Sequence, residues 1–315
     1  MREKILQELK KSDFVSGQKL AKKLNVSRTA IWKQIKALKE LGYQIKSVQN
    51  KGYKLHSKPD ILIPEEIYED LDTKLIGKKI IYYKEVDSTN LILKNLVKKK
   101  VLEGTVAISD FQKKGKGRKN RPWLSPKGGL WFSIILYPNI VPDKAMFVTM
   151  MFSVAISEAI FETCKIIPVI KWPNDLLIDN KKVCGILTEL DAEIDTINHM
   201  IIGTGINVNN KIPKNLKEIA ISIKDKQNKD ISKLLLVRNI LRKLDFYYNE
   251  FKLKNYDLIR NKWLEYSNIL GKKIKVNQEK KEIIGKIVNI DQNGHILLKT
   301  NNGVQKIFTG DIKYL

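Results

Sequence analysis

From the N-terminus to about residue 41 the apolar positions recur at helical spacing, and beyond Gly42 the pattern breaks into short alternating runs. Ile5, Leu6 and Leu9 predict a first helix. Ser16 and Ser27 are placed to cap two more, running to Leu24 and Leu41, with only Asn25-Val26 between them and Gly42 just past the last. In the later of these helices Ile31, Ile35 and Leu38 follow i, i+4, i+7 and turn inward, leaving Arg28, Thr29, Trp32, Lys33 and Lys36 outside. Residues 43–48 and 53–56 read as strands around the turn Gln49-Asn50-Lys51-Gly52. Two helices on a short turn followed by a hairpin describe a winged helix-turn-helix, which lays its second helix in the major groove of DNA. The alternative is a small helical bundle whose lysines only keep it soluble.

Pro59, Pro64 and Gly77 then mark a connector around a short amphipathic run. Further on, apolar runs at 80–83, 105–109, 130–136, 169–172 and 200–207 predict strands, and 90–100 and 146–163 predict helices. That alternation describes an α/β or α+β domain. From Lys272 to Leu315 short alternating runs are separated by Asn277-Gln278, Asn293-Gly294 and Asn302-Gly303, which predicts a small β-barrel. The chain is expected to be α+β and multidomain, with a reader at 1–60, a connector at 61–79, a central domain at 80–268 and the barrel at 269–315.

Charge sharpens this picture. The chain has 315 residues and a net charge of +24. Residues 1–60 hold 15 Lys or Arg against 5 Asp or Glu and so carry +10 of it, which favours the DNA-binding reading of that segment. Only seven of the 58 basic residues are Arg, so much of the remaining excess reflects a lysine-rich composition. A hydrophobic content of 43% excludes an acidic disordered chain. The opening residues lack the apolar stretch of a secretory signal, and the greasiest run, 145–156, is shorter than a membrane span, so a soluble protein is expected. Two cysteines without a CxxC, and His56, His199 and His295 spread over three expected domains, offer no disulfide framework or zinc cluster and fit a reducing cytoplasm. Cys184 reads as a small buried hydrophobe rather than a nucleophile.

The chemistry concentrates in four segments. FQKKGKGRKNRPW at 111–123 packs six cations and two glycines into a loop suited to carboxylate or phosphate, although it matches neither a Walker A loop nor G-x-G-x-x-G. By composition alone a solvated basic loop is equally good. DSTN at 87–90 ends a strand and can cap the helix after it. KWPNDLLIDNKKVCGIL at 171–187 sets polar groups at a strand end and across a hairpin, and GTGINVN at 203–209 closes another strand. In this order and spacing, behind a winged helix, the four segments closely resemble the biotin-protein ligases in their bifunctional form, which ligate biotin to acetyl-CoA carboxylase and repress the biotin operon. The likeness spans essentially the whole chain.

The resemblance implies a central mixed α/β domain like that of class II synthetases, an SH3-like C-terminal barrel, and a two-step reaction. Biotin and ATP with Mg²⁺ give biotinyl-5'-AMP, and a lysine of a biotin carboxyl carrier protein then takes the biotin. Carried over by position, Ser88, Thr89, Asn90 and Gln112 flank the biotin, and Gly115, Lys116, Gly117 and Arg118 close over biotin and adenylate. Lys182 sits by the reacting carboxylate and phosphate, with Arg118 retaining the intermediate. Trp123 stacks on adenine, and Asn174, Asp175 and Asn207 serve the nucleotide, Asp175 on its Mg²⁺ side. Arg28, Thr29, Trp32, Lys33 and Lys36 meet operator DNA, bound by a homodimer that forms when biotinyl-AMP is present. Lys116 departs from the family's usual Arg and cannot reproduce a planar two-donor contact. Two other readings stay open, a ligand sensor without turnover and a lipoate ligase.

Overall fold

The computed structural model describes residues 1–278, 281–308 and 310–315, and the chain divides into two compact units, Met1–Glu69 and Asp70–Leu315. The first holds α1 (Arg2–Lys11), α2 (Gly17–Leu24), α3 (Arg28–Glu40), β1 (Gln44–Val48), β2 (Gly52–Ser57) and α4 (Pro64–Tyr68). Both serines cap as expected. Ser16 Oγ accepts from the Lys19 amide and Ser27 Oγ from the Ala30 amide, each at 3.1 Å, contributing about 1 kcal/mol apiece. Asn25 ends α2 in the left-handed conformation, which asparagine tolerates. Ile31, Ile35 and Leu38 are buried, as are Ile5, Leu6 and Leu9 of α1 and Leu20 of α2. The hairpin β1–β2 distinguishes a winged helix from a plain bundle, and Val15 and Tyr53 exchange backbone hydrogen bonds that hold it. Gly52 is required there, because a Cβ would lie 2.2 Å from Val15 O.

The expected connector divides between the two units. Leu62, Ile63 and Ile67 are buried in the first unit, and the buried Glu66 carboxylate accepts from Tyr43 Oη at 2.5 Å and pairs with Lys10 at 3.4 Å. Burial and that carboxylate together push the Tyr43 hydroxyl far above its ordinary pKa. Residues 70–79 belong instead to the second unit, and they are tied to it by charge as well as by Ile76. Asp70 meets Arg238 at 2.6 Å, and Asp245 accepts the amides of Lys74, Leu75 and Ile76 at 2.7–2.8 Å.

The second unit is built on a seven-stranded mixed sheet. Along the chain run β3 (Ile80–Tyr83), α5 (Thr89–Val97), β4 (Val106–Ser109), β5 (Leu130–Leu136), α6 (Ala145–Cys164), β6 (Val169–Lys171), β7 (Asp175–Ile178), β8 (Lys181–Ala192) and β9 (Ile197–Ile206). They are ordered β3-β4-β5-β9-β8-β7-β6, with only β3 and β4 parallel. All seven residues of β5 are buried. Leu93 of α5 packs with Ala107, Ile135 and Ile201 of the sheet. After the sheet come α7 (Ile223–Gln227), α8 (Lys233–Lys252) and α9 (Tyr256–Ser267), and α8 and α9 both pack on α6.

Length does not exclude α6 from a bilayer. Its 20 residues reach about 30 Å. Burial decides its role, since fourteen of them lie inside this unit as a core helix. The helices α8 and α9 had no sequence expectation, although Leu236, Ile240, Leu244, Tyr247 and Phe251 keep a helical stripe and are buried. The unit ends in β10 (Lys273–Gln278), β11 (Lys281–Ile290), β12 (Ile296–Thr300), β13 (Gly303–Ile307) and β14 (Asp311–Tyr314), an antiparallel sheet ordered β13-β12-β11-β10-β14. Ile274, Val276, Ile287, Ile296, Leu298 and Ile307 give it a core of its own. Gly294 and Gly303 make their expected turns at positive φ. Asn277 and Gln278 do not, being the last residues of β10, and residues 279–280 lie outside the described residues.

Candidate active site

Three strand ends and two loops of the second unit enclose a cavity of about 360 Å³. Its walls take in Ser88, Thr89, Asn90, Gln112, Lys116, Gly117, Arg118, Trp123, Asn174, Asp175, Lys182 and Asn207, so residues from four separate sequence segments face one space. Gly115 is the exception. It is buried behind the loop, where a Cβ would meet Trp123 O at 2.5 Å and Ser125 Oγ at 2.6 Å, so its part is to let the loop fold back on itself.

The floor is a sheet surface stripped of side chains. On β8 and β9, Gly185 and Gly205 lie under the Trp123 indole and Gly203 under the Asn90 amide. A Cβ at Gly205 would stand 2.3 Å from Trp123 Nε1, and one at Gly203 2.3 Å from Asn90 Oδ1. Lys182 projects from β8 with its Nζ 2.7 Å from Asp175 Oδ1 and 5.1 Å from the Trp123 ring centre. An ammonium held between a carboxylate and an aromatic face has its position set before any anion arrives.

At the other end of the cavity the start of α5 is not capped by Ser88, whose side chain makes no cap hydrogen bond. Gln112 caps it from the loop, its Oε1 accepting the Thr89 amide at 2.9 Å. Gln112 Nε2 donates to Ser125 Oγ at 2.9 Å, and that hydroxyl reaches Trp123 O at 3.2 Å. Thr89 Oγ1 lies 2.6 Å from Ser133 Oγ, Ser133 Oγ donates to Asn90 Oδ1 at 2.5 Å, and Asn90 Nδ2 donates to Glu189 at 2.6 Å. Ser133 and Glu189 had no sequence signal, since they sit mid-strand and far along the chain from DSTN.

The basic loop is tied down rather than solvated. Lys113 and Lys114 donate their amides to Val86 O and Asp87 O, and a single 3₁₀ turn covers Arg118–Asn120. Five of its six cations meet carboxylates: Lys113 with Glu85, Lys114 with Asp87, and Arg118, Lys119 and Arg121 all with Asp311 at the start of β14. Burial raises the Asp311 pKa, but the three cations outweigh it and hold it below the usual carboxylate range. Arg118 also donates to Asn174 Oδ1 at 3.2 Å. A wall at 211–220, including Ile212, Leu216 and Ile219, completes the cavity, and only its apolar character could have marked it in the sequence. Cys184 is fully buried, and desolvation pushes its thiol well above the ordinary range, which removes it as a nucleophile. Among the described residues no cluster of three or more His, Cys, Asp or Glu comes together.

In the first unit, Arg28, Thr29, Trp32, Lys33 and Lys36 all stand exposed on α3, with the Lys36 ammonium 5.9 Å from the Trp32 ring centre.

Similarity to known proteins places the chain among the biotin-protein ligases. Residues 82–207 match the biotin/lipoate A/B protein ligase family, residues 269–313 the biotin protein ligase C terminal domain, and residues 1–54 a helix-turn-helix domain. The biotin protein ligase of Aquifex aeolicus, solved in complex with biotin and ATP, superposes with a TM-score of 0.66 at 32% identity, covering 76% of this chain and 99% of that one. The bifunctional ligase/repressor BirA of Bacillus subtilis is 38% identical over 96% of this chain and 94% of its own length, and the Escherichia coli protein of the same name is 28% identical over 98% and 95%. The chain belongs to the bifunctional BirA ligase/repressor family.

Proposed function

We propose that the cavity joins biotin to ATP and passes the biotin to a lysine of a biotin carboxyl carrier domain, as in acetyl-CoA carboxylase, while α3 and its wing bind operator DNA. The single observation that carries the ligase reading is the position of Lys182, fixed by Asp175 and Trp123 in the wall shared by Arg118, Gln112 and Thr89. In the first step a biotin carboxylate oxygen bonds to the α-phosphorus of ATP, and the bond to the bridging oxygen breaks, releasing pyrophosphate. Two anions must meet, so Lys182 and Arg118 supply the positive charge that lowers their repulsion. In the second step the carrier amine attacks the carbonyl carbon of biotinyl-AMP, AMP leaves with the bonding pair, and the amine loses a proton. No covalent nucleophile is required of the protein.

Ser88, Thr89, Asn90 and Gln112 take the biotin head group, and Lys116, Gly117 and Arg118 cover the adenylate. Trp123 stacks on adenine, and Asn174, Asp175 and Asn207 serve the phosphates and their Mg²⁺. Biotinyl-AMP retained in the cavity favours a homodimer whose paired α3 helices read two half-sites. We place this activity in the cytoplasm, where ATP, carrier and operator occur together. The test is biotin-dependent exchange of labelled pyrophosphate into ATP, run beside lipoate and beside Lys182→Ala. Exchange with biotin alone, lost by at least three orders of magnitude in the variant, is expected (~10³-fold). No exchange with biotin overturns the ligase reading, and operator affinity unchanged by biotin plus ATP overturns the coupling to DNA.

A further inference from the structure

The hydroxyl chain behind the cavity has a direction, and the chemistry of its terminal group sets it. Glu189 on β8 is held by the Lys94 ammonium in an ion pair at 2.6 Å, and a carboxylate only accepts. The Asn90 atom facing it at 2.6 Å must therefore be the donor Nδ2, which leaves Oδ1 facing Ser133. Ser133 has one hydroxyl proton and gives it to that Oδ1 at 2.5 Å, so its oxygen can only accept from Thr89 Oγ1 at 2.6 Å. The proton of Thr89 is then committed away from the cavity. Gln112 Oε1, turned toward Thr89 by the amide it accepts at 2.9 Å, lies 3.1 Å from Thr89 Oγ1. Two oxygen acceptors with no proton left to share converge in the cavity wall, a pair that an N–H donor satisfies and an acceptor or a sulfur does not.

We infer that Glu189 is a positioning residue that fixes the direction of the Asn90–Ser133–Thr89 hydrogen bonds, so that the cavity presents acceptors to the ring N–H of a cyclic urea and selects that acid over one ending in a dithiolane. The inference rests on the ligase reading above and adds to it the source of its acid specificity. Glu189 lies behind Asn90 and does not belong to the cavity wall. Lys94 makes the inference testable. In Glu189→Gln the ammonium takes the amide oxygen and turns the amide nitrogen toward Asn90. Asn90 then flips, Ser133 donates to Thr89, and Thr89 donates to Gln112, so the acceptor pair disappears.

The experiment is steady-state pyrophosphate exchange with full-length protein, with thermal melting on the same samples. Glu189→Gln is expected to raise the KM for biotin by about tenfold or more while kcat and the KM for ATP stay within about threefold. Adding Lys94→Met frees the glutamine to turn its oxygen to Asn90 and brings the biotin KM back toward wild type. A structural role predicts the reverse, with melting temperature, kcat and both KM values worsening together and worsening further in the double variant. A wild-type chain without biotin-dependent exchange overturns the ligase reading and this inference with it. A working wild type whose Glu189→Gln variant keeps its biotin KM within about twofold, or whose double variant shows no recovery, overturns this inference alone.

Discussion

Along α3, Arg28, Lys33 and Lys36 stand exposed, and no ion pair joins them to a carboxylate among the described residues. Along the loop that covers the cavity, five of six cations meet a carboxylate, three of them the single Asp311, and only Lys116 faces the cavity without such a partner among the described residues. The two surfaces use the same residue types for different physics. Unpaired cations on a helix keep their full attraction for a polyanion, and binding there is driven by release of counterions from phosphate. Paired cations have most of their field neutralised locally, and what their partners provide is a fixed loop shape around a small space. Counting positive charge along the chain therefore does not tell an exposed, unpaired helix face from a loop whose cations are paired.

The contrast can be broken at several points. The largest effect is expected from the floor the loop closes on. Gly205→Ala puts a methyl 2.3 Å from Trp123 Nε1, and displacing the indole by about an ångström should cost about a hundredfold in kcat/KM for adenylation, measured by pyrophosphate exchange. Operator binding without ligand should be unaffected.

Next comes the exposed helix. Lys33→Ala with Lys36→Ala should weaken DNA binding about equally on all sequences and lower the slope of log affinity against log salt by about 2, because each lysine accounts for roughly one phosphate. Adenylation should stay within about twofold. A slope that does not move would mean that these lysines do not face phosphate.

Removing the shared carboxylate is a milder test. Asp311→Asn leaves three loop cations without their common partner, and biotinyl-AMP should escape a few times faster in a chase, about threefold, since these are partly exposed pairs. Equal retention would show that Gly115 and the backbone bonds hold the loop by themselves.

The smallest effect concerns pH. Burial raises the Asp291 pKa, but Lys306 and the amides of His295 and Asn293 outweigh it and bring it down to about 2. A carboxyl depressed in the folded state stabilises above its unfolded pKa, near 4, and that contribution disappears as pH falls toward about 2. The difference in melting temperature between the wild type and Asp291→Asn should be constant from pH 7 to about 5 and shrink below it. A difference that persists at the acid end would point to packing instead of charge.

Much was legible from residue order because it rests on local rules. Serine caps, the i, i+4, i+7 stripe of α3 and the glycines at the β12 turns act within one or two turns of chain, so pattern alone marked the winged helix and the last sheet. The motif residues of the cavity were legible for another reason, since four segments in a known order carry a family's chemistry with them. Only the tertiary structure could show that Gln112, 23 positions away, caps α5 in place of Ser88, that residues 61–79 belong partly to each unit, or that burial and not length settles the role of α6. The same holds for Glu189, 99 residues from Asn90, and for Asp311, 190 to 193 residues from its three cations. Hydrogen-bond direction and charge neutralisation depend on which groups meet within 3 or 4 Å. For partners so far apart along the chain, the meeting is decided by the packing of strands and not by spacing in sequence.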